Sequence, residues 1–143
     1  MILKKFFAVP SHTTFQSFAL LLLRLFTGVA FLFHGWGKIQ HPFNWMGPDA
    51  PVPAALQFLA AFSEFGGGVA LILGLLTPLA MLGLGFTMAV AVHMHAIVRK
   101  DPFVNMTGGA SYEPALGYLV IAILIFAMGP GKFSLDAKLF GKK

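Results

Sequence analysis

The chain has 143 residues, 57% of them hydrophobic and 10% charged, with a net charge of +5 and no Cys; its mean hydropathy is +0.80. A soluble domain is about 25% charged, and a chain this short buries too little of its surface to hide so much apolar area from water, so an ordinary soluble domain is excluded. The missing Cys excludes disulfides, thiol chemistry and Fe–S ligation by the chain, and basic residues gathered at chain and helix ends, rather than in a stripe, exclude nucleic acid as a partner.

A spanning helix needs about 20 mostly apolar residues. The first such run is residues 18–39, preceded by Lys4 and Lys5. Pro10 and His12 interrupt the approach, the run is long, and no clean small-x-small site follows. It is therefore a retained helix and not a cleaved signal peptide. Arg24 sits about 7 Å to the cytoplasmic side of its centre, and His34 lies in its outer half. Arg24, Gly28, Phe31, Gly35 and Lys38 share one stripe of the helix, the expected inner face. Residues 40–53 form an outer loop in which His41, Phe43, Trp45 and Met46 suit an interfacial lid.

The second span, residues 54–76, places Glu64 near the bilayer midplane. Gly66, Gly67, Gly68, Ala70 and Gly74 allow close helix approach. Thr77-Pro78 joins this span to the third, residues 79–98, so tightly that the two form an antiparallel hairpin. His93 lies at an outer depth similar to that of His34, and His93 and His95 point in nearly opposite directions, so at most one faces the bundle centre. Residues 99–112 form a second outer loop. The fourth span, residues 114–128, is short and is expected to borrow a turn at either end. Gly129-Pro130-Gly131 stops it. The tail, residues 132–143, reads as a short interfacial helix with Ser134 as N-cap and Asp136 in the first turn. A faint repeat relates spans one and three, each with an outer His, and spans two and four, each following a Glu and ending at a Pro.

The expected fold is all-α: a single membrane domain over residues 1–143, built as a four-transmembrane-helix bundle. Lys4, Lys5, Lys132, Lys138, Lys142 and Lys143 flank one face, against Lys38, Arg99 and Lys100 on the other. The positive-inside rule then puts both termini in the cytoplasm, with the chain in the cytoplasmic (inner) membrane.

A charge in hydrocarbon costs about 2.5–3.5 kcal/mol even on the gentler insertion scale, so such residues face the bundle and find partners. Arg24 competes with two imidazoles for Glu64. Each Cβ leans toward its own helix N-terminus, which brings His34, His93 and Glu64 together and carries Arg24 away. The expectation is a polar cluster of Glu64, His34 and His93 in the outer half of the bundle. Blander readings stand beside it: His34 bonding a neighbouring carbonyl, Arg24 snorkelling to headgroups, and Glu113 complementing a helix dipole. Two His and a Glu can ligate a divalent metal, and two His can bracket a haem, but no diagnostic spacing supports either, and neither is expected.

Several segments recur together in a known pattern. They are Arg24 in the first span and His34-Gly35-Trp36-Gly37-Lys38 at its outer end. Glu64-Phe65-Gly66-Gly67-Gly68-Val69-Ala70-Leu71 and Gly74-Leu75-Leu76-Thr77 follow in the second. Gly129-Pro130-Gly131-Lys132-Phe133-Ser134-Leu135-Asp136 closes the set. In these, from about Leu22 to Asp136, the sequence resembles the DoxX family of small four-helix membrane proteins. The resemblance implies a four-helix bundle associated with redox systems of the cytoplasmic membrane. A related archaeal subunit belongs to a thiosulfate:quinone oxidoreductase, and other members are linked to oxidative-stress or thiol-stress complexes.

Residues and resemblance together lead to an expected quinone-linked oxidoreductase subunit acting with a partner. Glu64, His34 and His93 form the expected catalytic set, moving protons. Arg24, Lys38, Trp36 and Glu113 are the expected substrate- or quinone-binding residues, with Lys38 or Arg24 holding an anionic group. The expected cofactor is a quinone, with no metal. Expected partners are membrane lipid, further copies of the chain or a larger membrane redox complex. Two other classes remain open. In one, a non-catalytic accessory subunit uses the polar cluster as interhelical glue worth about 0.6 kcal/mol per hydrogen bond. In the other, a small proton-coupled transporter uses it as a proton relay.

Overall fold

A computed structural model describes residues 2–141. Lys142 and Lys143 of the charge argument lie outside the described residues, as does the side chain of Lys5. The described chain is all-helical: α1 (Ile2–Phe7), α2 (Thr14–Gln40), α3 (Ala54–Leu73), α4 (Thr77–Val92) running on into a π-helical segment (His93–Val98), α5 (Glu113–Met128) and α6 (Leu135–Leu139). Three helices are long and apolar enough to cross a membrane: α2, α3 and α4 with its π extension. A fourth, α5, is apolar but shorter.

Local chemistry sets the boundaries. Thr13 caps α2 four residues ahead of the expected start: its hydroxyl accepts from Gln16 N at 3.2 Å, and Gln16 Oε1 accepts from Thr13 N at 2.9 Å. This reciprocal pair satisfies two donors that the helix cannot. Gly74 ends α3 in the left-handed region at φ +62, its N–H turned back to the Ala70 and Leu71 carbonyls. The helix therefore stops three residues short of the expected boundary at residue 76. The 16 residues of α5 rise only about 24 Å, less than a hydrocarbon core of about 30 Å. It borrows no turn at its far end, because Gly129 at φ +72 closes it.

Close backbone packing runs in sequence order, α2 on α3, α3 on α4, α4 on α5. The α2–α3 contact is the tightest. A Cβ on Gly28 would fall 2.8 Å from Gly68 O, and one on Gly35 would fall 2.6 Å from Phe65 N. Without large side chains between them, the two backbones touch. Phe31, Leu71, Met81, Leu84, Met88, Ala122 and Ile125 form the buried core. Phe15, Phe33, Phe86, Val120 and Ile123 are exposed on the outside. An apolar exterior of this kind is stable facing lipid.

The end of the bundle that carries both termini is closed by a polar knot. Arg24 is fully buried; its Nη1 donates to Leu71 O at 3.2 Å and its Nη2 to Phe133 O at 2.6 Å. It places a cation at the C-terminal end of α3, where the helix dipole is negative. Asp136, also fully buried, accepts from Leu76 N at 2.7 Å and Thr77 N at 2.9 Å. Its carboxylate thus caps the start of α4, while its own N–H donates to Gly74 O at 2.9 Å. Ser134 caps α6 as expected, accepting from Ala137 N at 3.2 Å. The tail itself departs from the expectation of an interfacial helix. Capping the α3–α4 turn draws α6 into the bundle and buries Ser134 and Asp136.

Replacing Asp136 by Ala leaves two buried backbone N–H groups unpaired. The expected cost is about 3 kcal/mol, read as a lower thermal unfolding midpoint in mild detergent and earlier proteolysis of the tail. Asp136→Asn keeps one acceptor and is expected to lose less. Equal melting of wild type and Asp136→Ala would show that the tail is not held by this carboxylate.

Candidate functional site

At the opposite, loop-bearing end, the helices enclose a half-open cavity of about 330 Å³. The last turns of α2 supply Phe31, His34 and Lys38, and α3 supplies Glu64. Met88 and Ala91 come from α4 and His95 from the π-helical segment. Ser111, Pro114, Ala115 and Tyr118 close the far wall. Across the mouth between α2 and α5 only rings meet: Phe31 and Tyr118 lie 5.0 Å apart, and His34 and Tyr118 lie 6.0 Å apart edge to face.

Glu64 is paired, but not as expected. Its side chain is 2% exposed, and both oxygens accept from Lys38 Nζ, at 2.6 and 2.7 Å. Lys38 belongs to the inner stripe of α2, and its Cβ leans toward the helix N-terminus, that is, inward. A four-carbon stem on that vector reaches deeper than an imidazole from the same helix. The third face of the ammonium meets the Trp45 ring, 4.6 Å from its centroid, a favourable cation–π contact. The opposite charges of the pair offset one another beside the cavity, which Lys38, 27% exposed, also lines.

Trp45 belongs to the loop after α2, which folds back over this pair. Gln57, 4% exposed, staples the loop from the first turn of α3. Trp45 Nε1 donates to Gln57 O at 2.9 Å, Met46 N donates to Gln57 Oε1 at 3.1 Å, and Gln57 Nε2 donates to Val52 O at 2.9 Å. Phe43 stacks on Phe58 at 5.1 Å. A polar residue inside an apolar helix marks such a staple in the sequence, yet its backbone partners lie in a loop that has no pattern to read.

The two imidazoles separate. His34 lines the cavity beside Tyr118. His93 is exposed and outside the lining, so the expected meeting of Glu64 with both rings does not form. His95 lies seven residues, about two α-helical turns, beyond the buried Met88 and shares its face, while His93 points away; the π-helical segment begins only at His93. His95 Nδ1 lies 2.7 Å from Asp101 Oδ2, and Asp101 N donates to His95 O at 2.8 Å. Sequence reasoning had noted His95 only as the opposite of His93.

The remaining expected binding residues lie elsewhere. Arg24 is at the other end of the bundle, about 21 Å from Lys38 along the same helix at 1.5 Å per residue. Trp36 is 59% exposed on the outer face, its ring 5.8 Å from Phe65. Glu113 is exposed in the first turn of α5, where its charge suits the helix dipole. Among the described residues no three His, Asp or Glu side chains gather where they could hold a metal ion.

The cavity is thus apolar over most of its wall, has no net charge at its ion pair, and carries two imidazoles, a phenol and a hydroxyl. Apolar walls with a few hydrogen-bonding groups are the usual make-up of a small-molecule site.

Known proteins agree with the membrane character of the chain. The DoxX family model matches residues 19–97. The inner membrane protein YqjF of Escherichia coli K12 is 30% identical over 138 residues, covering 90% of this chain and 96% of that protein. An uncharacterized protein of Haemophilus influenzae Rd is 29% identical over 130 residues, with the same coverage of each chain. No solved structure matches.

Removing one member of a buried ion pair strands the other charge, at about 3–5 kcal/mol. Lys38→Met is therefore expected to lower the melting temperature in detergent strongly. Adding Glu64→Gln to it is expected to restore most of the loss. A double variant as unstable as the sum of its single variants would mean that the two side chains are not coupled.

Proposed function

The chain belongs to the DoxX family, and from that membership we propose that this membrane protein is a quinone-linked subunit, holding a quinone headgroup in the cavity between α2 and α5. One observation carries the reading: a half-open cavity of about 330 Å³ at the loop end of an apolar bundle, with polar groups on opposing walls. Ligand sites run from about 300 Å³ upward, so this one accommodates a single substituted ring. An apolar tail would remain among the lipid chains.

A bound quinone supplies two-electron, two-proton chemistry. The chain's residues bind, orient and exchange protons. Phe31 and Tyr118 offer ring faces for stacking, and Met88, Ala91 and Ala115 exclude water. His34, Tyr118 and His95 present hydrogen-bonding atoms to the ring oxygens. The buried Lys38–Glu64 pair holds the wall between α2 and α3 and keeps that wall without net charge, which favours a neutral ring over an anion. With no Cys to carry electrons, the chain works beside a partner in a larger membrane redox complex.

The termini are assigned to the cytoplasm of the inner membrane. Lys4, Lys132 and Lys138 lie toward the end with the polar knot, and Arg99, Lys100 and the Glu64-paired Lys38 toward the cavity end. On this topology the cavity opens on the outer face.

Two measurements test these assignments. Organic extracts of protein purified in mild detergent are expected to contain quinone, and Ala115→Phe, which fills the cavity without touching a polar group, is expected to lose it by at least about tenfold. A stoichiometric partner copurifying with quinone-free wild type would instead favour the accessory reading. Because the chain lacks Cys, Met106→Cys is expected to react with an impermeant maleimide added outside intact cells, and Gly141→Cys only after lysis. The reverse pattern would invert the topology.

A further inference from the structure

Of the two imidazoles that line the cavity, His95 is the one held by a hydrogen-bond partner. Two contacts hold it: Nδ1 against Asp101 Oδ2 at 2.7 Å, and its carbonyl accepting from Asp101 N at 2.8 Å. A carboxylate only accepts, so Nδ1 carries a proton and Nε2 is left as the nitrogen that can meet a ligand. The segment bearing His95 is π-helical, a rare geometry found mostly at functional sites. The loop holding Asp101 is tied down in turn, with Tyr112 N donating to Pro102 O and Glu113 N to Phe103 O. The side chains of His95 and Asp101 are 29% and 20% exposed, so the pair touches both the cavity and the loop-side water.

We propose that His95, positioned by Asp101, exchanges protons between the cavity ligand and water at the loop face. The proposal rests on the quinone reading and adds the proton's route. When the ring is cationic, Nε2–H donates to a carbonyl oxygen. When it is neutral, with its one proton held at Nδ1, the Nε2 lone pair accepts from a hydroxyl. As the redox partner supplies electrons to the ligand, the Nε2–H bond breaks, an O–H bond forms on the ligand oxygen, and the N–H electron pair stays on Nε2. Water entering the half-open cavity from the loop face then returns a proton to Nε2. The same site therefore prefers carbonyl ligands at low pH and hydroxyl ligands at high pH. The other titratable groups around the cavity are His34 and Lys38 on α2, Glu64 on α3 and Tyr118 on α5; those from α4 are uncharged.

The test uses the full chain in lipid nanodiscs, with a short-chain 1,4-benzoquinone and its hydroquinone as probes. The ratio of quinone affinity to hydroquinone affinity is measured between pH 5 and 8, where imidazoles change charge. In wild type and in His93→Gln, which alters an exposed ring outside the cavity, the ratio is expected to fall about tenfold across that range. In His95→Gln the fall is expected to shrink to the part that His34 contributes, and in His95→Gln combined with His34→Gln it is expected to be flat. In Asp101→Asn it is expected to change less, because either ring nitrogen can then hold the proton. A wild-type ratio that does not change with pH, or a His95→Gln ratio that changes as wild type does, overturns the role of His95 and leaves the quinone reading standing. Failure of either probe to bind wild type overturns both.

Discussion

A carboxylate inside a bundle of apolar helices has two stable fates, neutralisation by its own proton or by a cation brought to it. Glu64 takes the second, with Lys38 Nζ within 2.7 Å of both oxygens, and much of the loop end follows from that bond. Lys38 reaches Glu64 because α2 and α3 touch at Gly28, Gly35 and Gly68, where a Cβ would collide with the facing backbone. The ammonium's remaining face draws Trp45 over it, and Gln57 clips the loop that carries Trp45. Close helix contact, a buried charge pair and an ordered loop are thus one arrangement, and the cavity lies beside it.

The other end of the molecule uses the same physics with different partners. Arg24 donates to the Leu71 carbonyl near the end of α3 and to the Phe133 carbonyl, and its charge is offset by the nearby Asp136, whose carboxylate also caps α4. In both places a charge that lipid would expel is satisfied by backbone or by an opposite charge within 3.2 Å. The knot at the terminal end holds the helices together. The cavity at the loop end is lined instead by His34 and Tyr118, which meet through their rings, and by His95, whose Nδ1 is held by Asp101.

The sequence told much of this in outline. Hydropathy located three spans and the shorter fourth helix, because lipid imposes a length that composition can meet or miss. The inner stripe of Arg24, Gly28, Phe31 and Gly35 is the buried face of α2, since a regular helix keeps its phase. The charge at Glu64 announced that a partner was needed. The partner's identity was less legible, because Lys38 sits at a helix end where a Lys ordinarily turns to water. His95 was legible only as one of two alternatives, because it and His93 point in opposite directions and packing decides which of them faces the cavity. Asp136 was readable as a first-turn acid, but the helix it caps begins 59 residues earlier, beyond the reach of local pattern.

The Arg24 contacts also bear on how the protein is made. Its bond to Phe133 O spans 109 residues. At a synthesis rate of about 5–20 residues per second, the ribosome needs roughly 5–20 s to deliver that partner. Throughout that interval the first long helix carries a guanidinium whose final acceptors are incomplete, the Leu71 carbonyl arriving after 47 residues and the Phe133 carbonyl after 109. The newborn segment must remain at the translocon, or near the headgroups, until the last turn of the chain is delivered. Assembly is thereby timed by the C-terminus, and a chain truncated before residue 133 would strand its first span with an unshielded charge.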